Sequence, residues 1–251
     1  MADRHVDVNC DLGETDLPWA SSHEPALLEL VSSANVACGG HAGDADSMRA
    51  VCSVAAKRGV VIGAQVSYPD RENFGRVALG IDAGALSRSL EEQYAALDDA
   101  CRAAGTRIAY VKPHGALYNV SVDDDEHARV VVDLAARRGV ALVGMAGSCT
   151  QRLAQPAGVR FVPEWFADRA YLPNGRLAPR NRAGALVTSV EIVHRRTARA
   201  LTQGTVETLD GGEIAVDFRT ICVHSDTPGA AELLRAVRDA VAGAGASVGA
   251  V

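Results

Sequence analysis

Short apolar runs alternate with amphipathic helical segments along the whole of this chain, and this alternation most constrains its fold. Runs typical of buried strands lie near residues 5–10, 32–37, 60–65, 107–112, 140–145, 159–163 and 219–223. Apolar side chains recur at helical spacing between them, most clearly over residues 44–58, 86–104 and 123–138. Strands that alternate with helices predict parallel βαβ units and an α/β fold. Seven or eight such units in 251 residues favour a (β/α) barrel over an open sheet.

Polar residues follow several of these strand-like runs directly. Lys112 and His114 come immediately after the run at 107–111, and Asp11, His41 and His224 stand in similar places. Lysine and histidine are unfavourable at the end of a buried strand unless they have hydrogen-bonding or ionic partners, or a role in binding or catalysis. A barrel would bring these five side chains to one mouth, whereas an open sheet would spread them along a crevice. The structural alternative is a set of capped, hydrogen-bonded turns.

Two regions interrupt the alternation. Residues 164–184 are rich in arginine and broken by proline and glycine, which predicts a lid-like insertion over the mouth of a single domain spanning residues 1–251. Residues 206–216 predict a hairpin with Asp210 and Gly211 at its turn. Further on, Thr227 followed by proline predicts the N-cap of a last helix. The tail beyond that helix predicts a final strand or a frayed end.

Composition excludes several classes of function. The net charge is −6 with acidic and basic residues interspersed, so nucleic-acid binding is not expected. No apolar run reaches the length of a membrane span, and the first residues lack a signal peptide, so we expect a cytoplasmic protein with no membrane partner. Six cysteines without a C-x-x-C spacing favour reduced, buried thiols. A nucleophilic or metal-bound thiol at Cys10, Cys38 or Cys222 stays open.

Five motifs resemble those of the LamB/YcsF family, the A subunits of ATP-hydrolysing 5-oxoprolinases. They are residues 7–14 (DVNCDLGE), 33–44 (SANVACGGHAGD), 68–76 (YPDRENFGR), 111–119 (VKPHGALYN) and 162–169 (VPEWFADR). The motifs are long, colinear and spread from about residue 5 to the C-terminus. The resemblance implies an irregular (β/α) barrel related to glycoside hydrolase and deacetylase barrels. It also implies opening of 5-oxo-L-proline to L-glutamate with hydrolysis of ATP to ADP and phosphate, together with subunits B and C.

Carried onto this chain, the resemblance implies a site of strand-end residues. We expect catalytic roles for His114, His41, Asp11 and Lys112, and substrate binding by Glu14, Asn35, Asp44, Gln65, Arg76, Asn119, Asp168, Arg169 and His224. His114 or His41 could be the base that activates water, since imidazole titrates near neutrality. Lys112 is expected to face the mouth and pair with a substrate carboxylate or a phosphate oxygen. Asp11 and Glu14 could hold a metal or orient an imidazole.

The chain departs from the family pattern at four positions: Gln65 stands where histidine is usual, Val66 where proline is usual, Gly40 where phenylalanine is usual, and Ser225 where glycine is common. An amide is a poor ligand for a borderline-soft ion. We therefore expect no bound transition metal, and Mg²⁺ held by carboxylates if any cation binds. ATP as co-substrate is what the resemblance implies. Two alternatives remain. One is a metal-dependent deacetylase or amidohydrolase on a sugar-like substrate with Asp11, His41 and His114 as ligands, and the other is a non-catalytic substrate-binding subunit.

Overall fold

Seven parallel strands close into a barrel in the computed structural model of this chain, which describes residues 5–250. Each strand pairs with the next, and the first and last pair to complete the ring. All seven predicted strands are confirmed, and so is the predicted (β/α) barrel. The barrel strands are β1 (His5–Leu12), β2 (Ser33–Ala37), β3 (Val61–Val66), β4 (Ile108–Pro113), β5 (Ala141–Met145), β6 (Phe161–Phe166) and β9 (Thr220–Val223).

Helices follow the strands and cover the barrel. The three leucines Leu86, Leu90 and Leu97 of the longest helix are fully buried, each contributing roughly 1.5–3 kcal/mol relative to an exposed side chain. Among residues 5–250, no helix is long and apolar enough to cross a membrane. The helices are α1 (Glu24–Leu28), α2 (Ala45–Arg58), α3 (Ala83–Ala103), α4 (Gly115–Asp123), α5 (Asp125–Arg138), α6 (Cys149–Ala154), α7 (Val190–Gln203) and α8 (Ala230–Gly243), with a 3₁₀ turn at Trp19–Ser21.

Two small pairings complete the fold. Strands β7 (Thr205–Glu207) and β8 (Glu213–Ala215) form an antiparallel hairpin, which confirms the prediction for residues 206–216. The tail forms a final strand, β10 (Ser247–Val248), which pairs in parallel with the start of β1.

Four helices, α1, α4, α6 and α7, are not among those named from the sequence pattern, and α4 is the one that directly follows His114. The helix begins directly after His114, at Gly115 with a φ of +58°. A Cβ on Gly115 would lie 2.5 Å from the carbonyl oxygen of Gly75, so only glycine fits this approach. The next helix, predicted from residue 123, begins at Asp125 with the Asp124 side chain as its cap.

The predicted start of the last helix at Thr227 is wrong. Helix α8 begins at Ala230 after Gly229, whose φ is +76°. The Thr227 hydroxyl donates to the carboxylate of Asp168, 2.6 Å away, and no side chain within residues 5–250 accepts from the first backbone N–H groups of the helix. A tertiary hydrogen bond thus replaces the local cap.

The arginine-rich segment lies over the barrel mouth between β6 and α7. Its first three predicted residues, 164–166, belong to strand β6, so the segment begins after Phe166. An antiparallel bridge between Arg169 and Leu186 folds the rest back on itself. From α7, Arg196 donates to the carbonyl oxygens of Ala167 and Arg169, which ties the segment to the barrel wall. Its role as a lid stays a prediction.

Candidate active site

A cavity of about 460 Å³ opens at the carboxyl ends of the barrel strands. Asp11, Lys112, His114 and His224 line it, so four of the five strand-end residues meet at one mouth as predicted. The fifth, His41, lies behind His114 with the two rings stacked, their centroids 3.7 Å apart. The volume is within the range of about 300–1,000 Å³ that is usual for small-molecule sites.

Lys112 lies at the floor of the cavity between two carboxylates. Its Nζ is 2.8 Å from Glu164 Oε1 and 3.4 Å from Asp11 Oδ1. Burial favours the neutral amine, but the charges of Asp11 and Glu164 dominate and raise the pKa of Lys112 well above its usual range. Lys112 lines the cavity as expected, but the barrel itself supplies two carboxylates to its ammonium group, and pairing with a substrate anion stays a prediction.

A buried network of amides holds this floor in place. Asn35 Nδ2 donates to Asp11 Oδ1 at 2.9 Å and to Asn9 Oδ1 at 2.7 Å. The Tyr110 hydroxyl donates to Asn35 Oδ1 at 2.6 Å, and Asn9 Nδ2 donates to Glu164 Oε1 at 3.1 Å. Asn35 therefore orients Asp11 from inside the barrel rather than lining the cavity.

Glu14 is the centre of a second network on the His114 side. Its Oε1 lies 3.0 Å from His41 Nε2 and 3.0 Å from Gln65 Nε2, and its Oε2 accepts a hydrogen bond from Ser225 Oγ at 2.9 Å. Gln65 Nε2 also lies 2.9 Å from His114 Nδ1. In this orientation the amide nitrogen of Gln65 donates to two acceptors, Glu14 Oε1 and His114 Nδ1. If the amide were flipped, its oxygen would face both acceptors and could donate to neither.

Both ring nitrogens of His114 are engaged. Its Nε2 lies 3.2 Å from the carbonyl oxygen of Phe74, so Nε2 carries the hydrogen and Nδ1 accepts from Gln65. Burial lowers the pKa of His114 well below its usual range, and the neighbouring His41 and Arg76 charges lower it further. In this arrangement His114 is neutral and has no free lone pair for a proton from water.

This depressed pKa makes stability depend on pH below neutrality. The unfolded chain binds a proton at His114 below a pH of about 6.5 and the folded chain does not, so the free energy of unfolding falls as pH drops through that value, by at most about 1.4 kcal/mol per pH unit. We expect His114→Gln to lose less stability than the wild type between pH 7.5 and 5.5. Urea unfolding at both pH values measures this difference, and equal losses would show that folding does not lower the pKa of His114.

The residues beside His114 do not fit a transition metal as they are arranged. Glu14, His41 and His114 bring ligand atoms within 4.8 Å of one another. A metal binds imidazole along the lone pair in the ring plane, yet the two rings are parallel within 6° and stacked, so their lone pairs do not converge on one point. The Gln65 N–H groups already point at Glu14 and His114, occupying the acceptors that an ion would need.

We therefore expect protein purified without added metal to contain well under one Zn, Mn or Fe per chain. We expect Gln65→His to gain none, because the surrounding acceptors are arranged around an amide donor. Elemental analysis of both proteins measures this. About one transition-metal ion per wild-type chain would contradict the expectation and restore the deacetylase alternative.

On the opposite side of the mouth, Asp168 holds His224. His224 Nδ1 lies 3.0 and 3.1 Å from the two carboxylate oxygens of Asp168, which also accepts from Thr227. Although burial opposes it, attraction to the protonated form of the His224 ring and these hydrogen bonds hold the pKa of Asp168 well below its usual range. The ring stacks on Phe166 at 5.1 Å. With Nδ1 bonded to the carboxylate, Nε2 keeps its lone pair, and it has no hydrogen-bond partner within residues 5–250.

The other residues predicted from the sequence differ in whether they line the cavity. Arg76, Arg169 and Asn119 line the cavity. Asp168 lies behind His224 and is fully buried. Asp44 is exposed and caps α2, accepting from the backbone N–H groups of Asp46 and Ser47, so the structure places it away from the cavity.

Glu164 and Phe166 belong to the site, although neither is predicted as a site residue from the sequence. Both lie within the motif at residues 162–169. Glu164 is the one charged residue in the apolar strand β6, and this isolation is a signal for a buried partner. Of the thiols left open, Cys222 lies 3.2 Å from Lys112 Nζ. Burial raises the pKa of Cys222 and of Cys10 well above the usual range, so both are thiols rather than nucleophilic thiolates.

Known proteins resemble this chain over nearly its whole length. The model of the LamB/YcsF family matches residues 6–251. The 5-oxoprolinase A subunit of Streptomyces coelicolor is 48% identical over 247 residues, which cover 98% of this chain and 99% of that one. The protein of the same name from Nocardia farcinica is 46% identical, covering 97% and 98%.

Solved structures agree on the fold. The lactam utilization protein from Thermus thermophilus superposes with a TM-score of 0.89 at 39% identity, covering 98% of this chain and 100% of that one. A family 4 carbohydrate esterase from Streptomyces lividans superposes with a TM-score of 0.53 at 11% identity, covering 99% of this chain and 93% of that one, and it shows a shared fold only.

Proposed function

Because this chain belongs to the LamB/YcsF family, we propose that it is the A subunit of an ATP-dependent 5-oxoprolinase and that its cavity opens 5-oxo-L-proline to L-glutamate. The observation that carries the catalytic part is the His224–Asp168 pair at the cavity wall. Its partners are subunits B and C, and ATP is the co-substrate of the assembly, with Mg²⁺ accompanying the nucleotide.

The chemistry explains why ATP is needed. The five-membered lactam is unstrained and its amide is a poor electrophile. Transfer of a phosphoryl group from ATP to the amide oxygen gives ADP and an activated lactam. Water then adds to the ring carbon and loses a proton, the C–N bond breaks, and the nitrogen gains a proton. A second water hydrolyses the resulting acyl phosphate to glutamate and phosphate. We assign the phosphoryl transfer to subunits B and C and the ring opening to this chain.

His224 is suited to accept the proton of the attacking water. The Asp168 carboxylate fixes the hydrogen on Nδ1 and directs the Nε2 lone pair away from itself, and it stabilises the imidazolium that forms. The proposed base is therefore His224 rather than His114 or His41, because His114 has both nitrogens engaged and His41 lies behind it.

The floor of the cavity is complementary to a cyclic amide. Asp11 offers an acceptor for the ring N–H, and Lys112 offers a cationic donor for the oxygen on the reacting carbon. A fixed positive charge at a developing oxyanion lowers the barrier to addition. Asn35 and Glu164 hold these two side chains in position.

Reconstitution tests this proposal. Glutamate release from 5-oxo-L-proline and ATP is measured with subunits B and C, first alone and then with this chain added. We expect release only when this chain is present. Equal release by B and C alone would contradict the proposal, and release that needs the chain but tolerates loss of its cavity residues would favour the non-catalytic binding role.

A further inference from the structure

Four guanidinium groups line the mouth of the cavity, and one of them, Arg176, is paired with the carboxylate of Asp123. The other three are those of Arg76, Arg169 and Arg180. Arg169 and Arg180 belong to the arginine-rich segment after β6, and Arg76 belongs to the loop after β3. Arg169 directly follows Asp168, and Arg76 is the second residue after Phe74, which accepts the hydrogen of His114.

Arg169 is the buried member of this group, and no carboxylate within residues 5–250 forms an ion pair with it, although the charge of Asp168 acts on it from farther away. Only 5% of its surface is exposed, and its Nη2 donates to the carbonyl oxygen of Ala178 at 2.6 Å. Its Nε is buried without a hydrogen-bond partner among the described residues. Burial, together with the adjacent charge of Arg180, lowers the pKa of Arg169 to about 10. A buried guanidinium with a free donor beside like charges is costly unless an anion completes it.

The three arginines outnumber the carboxylate that they share. Arg76 and Arg180 share the carboxylate of Asp226, with Arg180 Nη1 3.0 Å from Asp226 Oδ2. Arg169 has no part in this pairing, and the nearby Asp168 carboxylate acts on it without forming an ion pair. A single guanidinium is enough to pair with a carboxylate in a bidentate fashion, whereas several arginines directed at one place match a phosphoryl group.

We propose that Arg76, Arg169 and Arg180 form an oxyanion subsite that holds the phosphoryl group of the activated lactam. This inference deepens the proposed function and rests on it for the identity of the substrate. The oxyanion subsite makes this chain specific for a phosphorylated lactam rather than for free 5-oxo-L-proline. With the phosphoryl group held by these arginines, the ring carbon lies in the same cavity as His224 and Lys112, which line it as well.

Binding of inorganic phosphate to the purified full chain tests the subsite without any turnover. Isothermal titration at constant ionic strength is carried out with phosphate and, separately, with 5-oxo-L-proline. We expect phosphate to bind the wild type, and Arg169→Gln and Arg180→Gln to weaken that binding by about ten- to a hundredfold, the loss of one charge-assisted hydrogen bond. Arg235→Gln, which removes an exposed arginine on α8, serves as the matched control and should bind phosphate normally.

Three outcomes would overturn the subsite: no phosphate binding by the wild type, equal weakening by Arg235→Gln, or weakened binding of 5-oxo-L-proline but not of phosphate in the two variants. The last would assign the arginines to the substrate carboxylate. If Arg169→Gln does not fold, phosphate binding by Arg180→Gln tests the subsite, because the Arg180 side chain is partly exposed. The result is independent of glutamate release, so failure of the subsite and failure of the proposed function are distinguishable.

Discussion

His224→Asn is expected to lower the turnover number for glutamate release by the complete assembly by about 10²–10⁴-fold, the usual contribution of a general base. The amide of asparagine cannot accept a proton from water. The side chain forms one wall of the cavity and no barrel strand depends on it, so the fold and the assembly with subunits B and C should persist. Steady-state rates at saturating ATP and 5-oxo-L-proline measure the effect.

Asp168→Asn should lower the same turnover number, because an amide no longer fixes the hydrogen on Nδ1 or stabilises the imidazolium. His194→Asn, which changes an exposed histidine on α7, is the control and should turn over normally. A folded His224→Asn assembly with wild-type turnover would remove His224 from the mechanism.

Lys112→Met is expected to lower the free energy of unfolding by about 3–5 kcal/mol. Removing the ammonium leaves the buried carboxylates of Asp11 and Glu164 without their shared cation. The sequence alone predicts the reverse, with an effect on substrate binding larger than the effect on stability. Equilibrium unfolding in urea, at the same pH for both proteins, measures the difference.

The double variant Lys112→Met with Glu164→Gln separates charge from packing. It removes one of the two unpaired carboxylates and should recover part of the lost stability, since Glu164 is the nearer partner of Lys112. A loss below about 1 kcal/mol in the single variant would contradict the role of the buried ion pair. So would a double variant that is less stable than the single one.

The barrel is predictable from the sequence because its signal is repeated. Each strand is a short apolar run between helical stripes, and several runs end in a residue that a buried strand would not otherwise tolerate, such as Lys112 or His224. The convergence of these residues follows from parallel strands in a closed ring, so it needs no tertiary detail. This explains why the meeting of Asp11, Lys112, His114 and His224 is correctly predicted.

The roles within the site are less predictable because they depend on contacts between distant segments. The lone pair of His114 is occupied by Gln65, and Thr227 bonds Asp168 instead of capping its helix. Partners of Lys112 come from β1 and β6, which lie far apart in the chain. Local patterns do not encode such pairings, although the isolated Glu164 in an apolar strand indicates that one exists.

The division of the reaction between this chain and its partners is tested by the amount of glutamate formed per ATP consumed, in assemblies of subunits B and C with either wild-type chain or His224→Asn. If activation occurs on the partners and ring opening occurs here, the variant assembly still consumes ATP when 5-oxo-L-proline is present. The activated lactam then returns to 5-oxo-L-proline and phosphate by reaction with water, so the ratio of glutamate to ATP falls at least about tenfold. An unchanged ratio, with both rates lowered equally, would contradict the assignment of ring opening to this cavity.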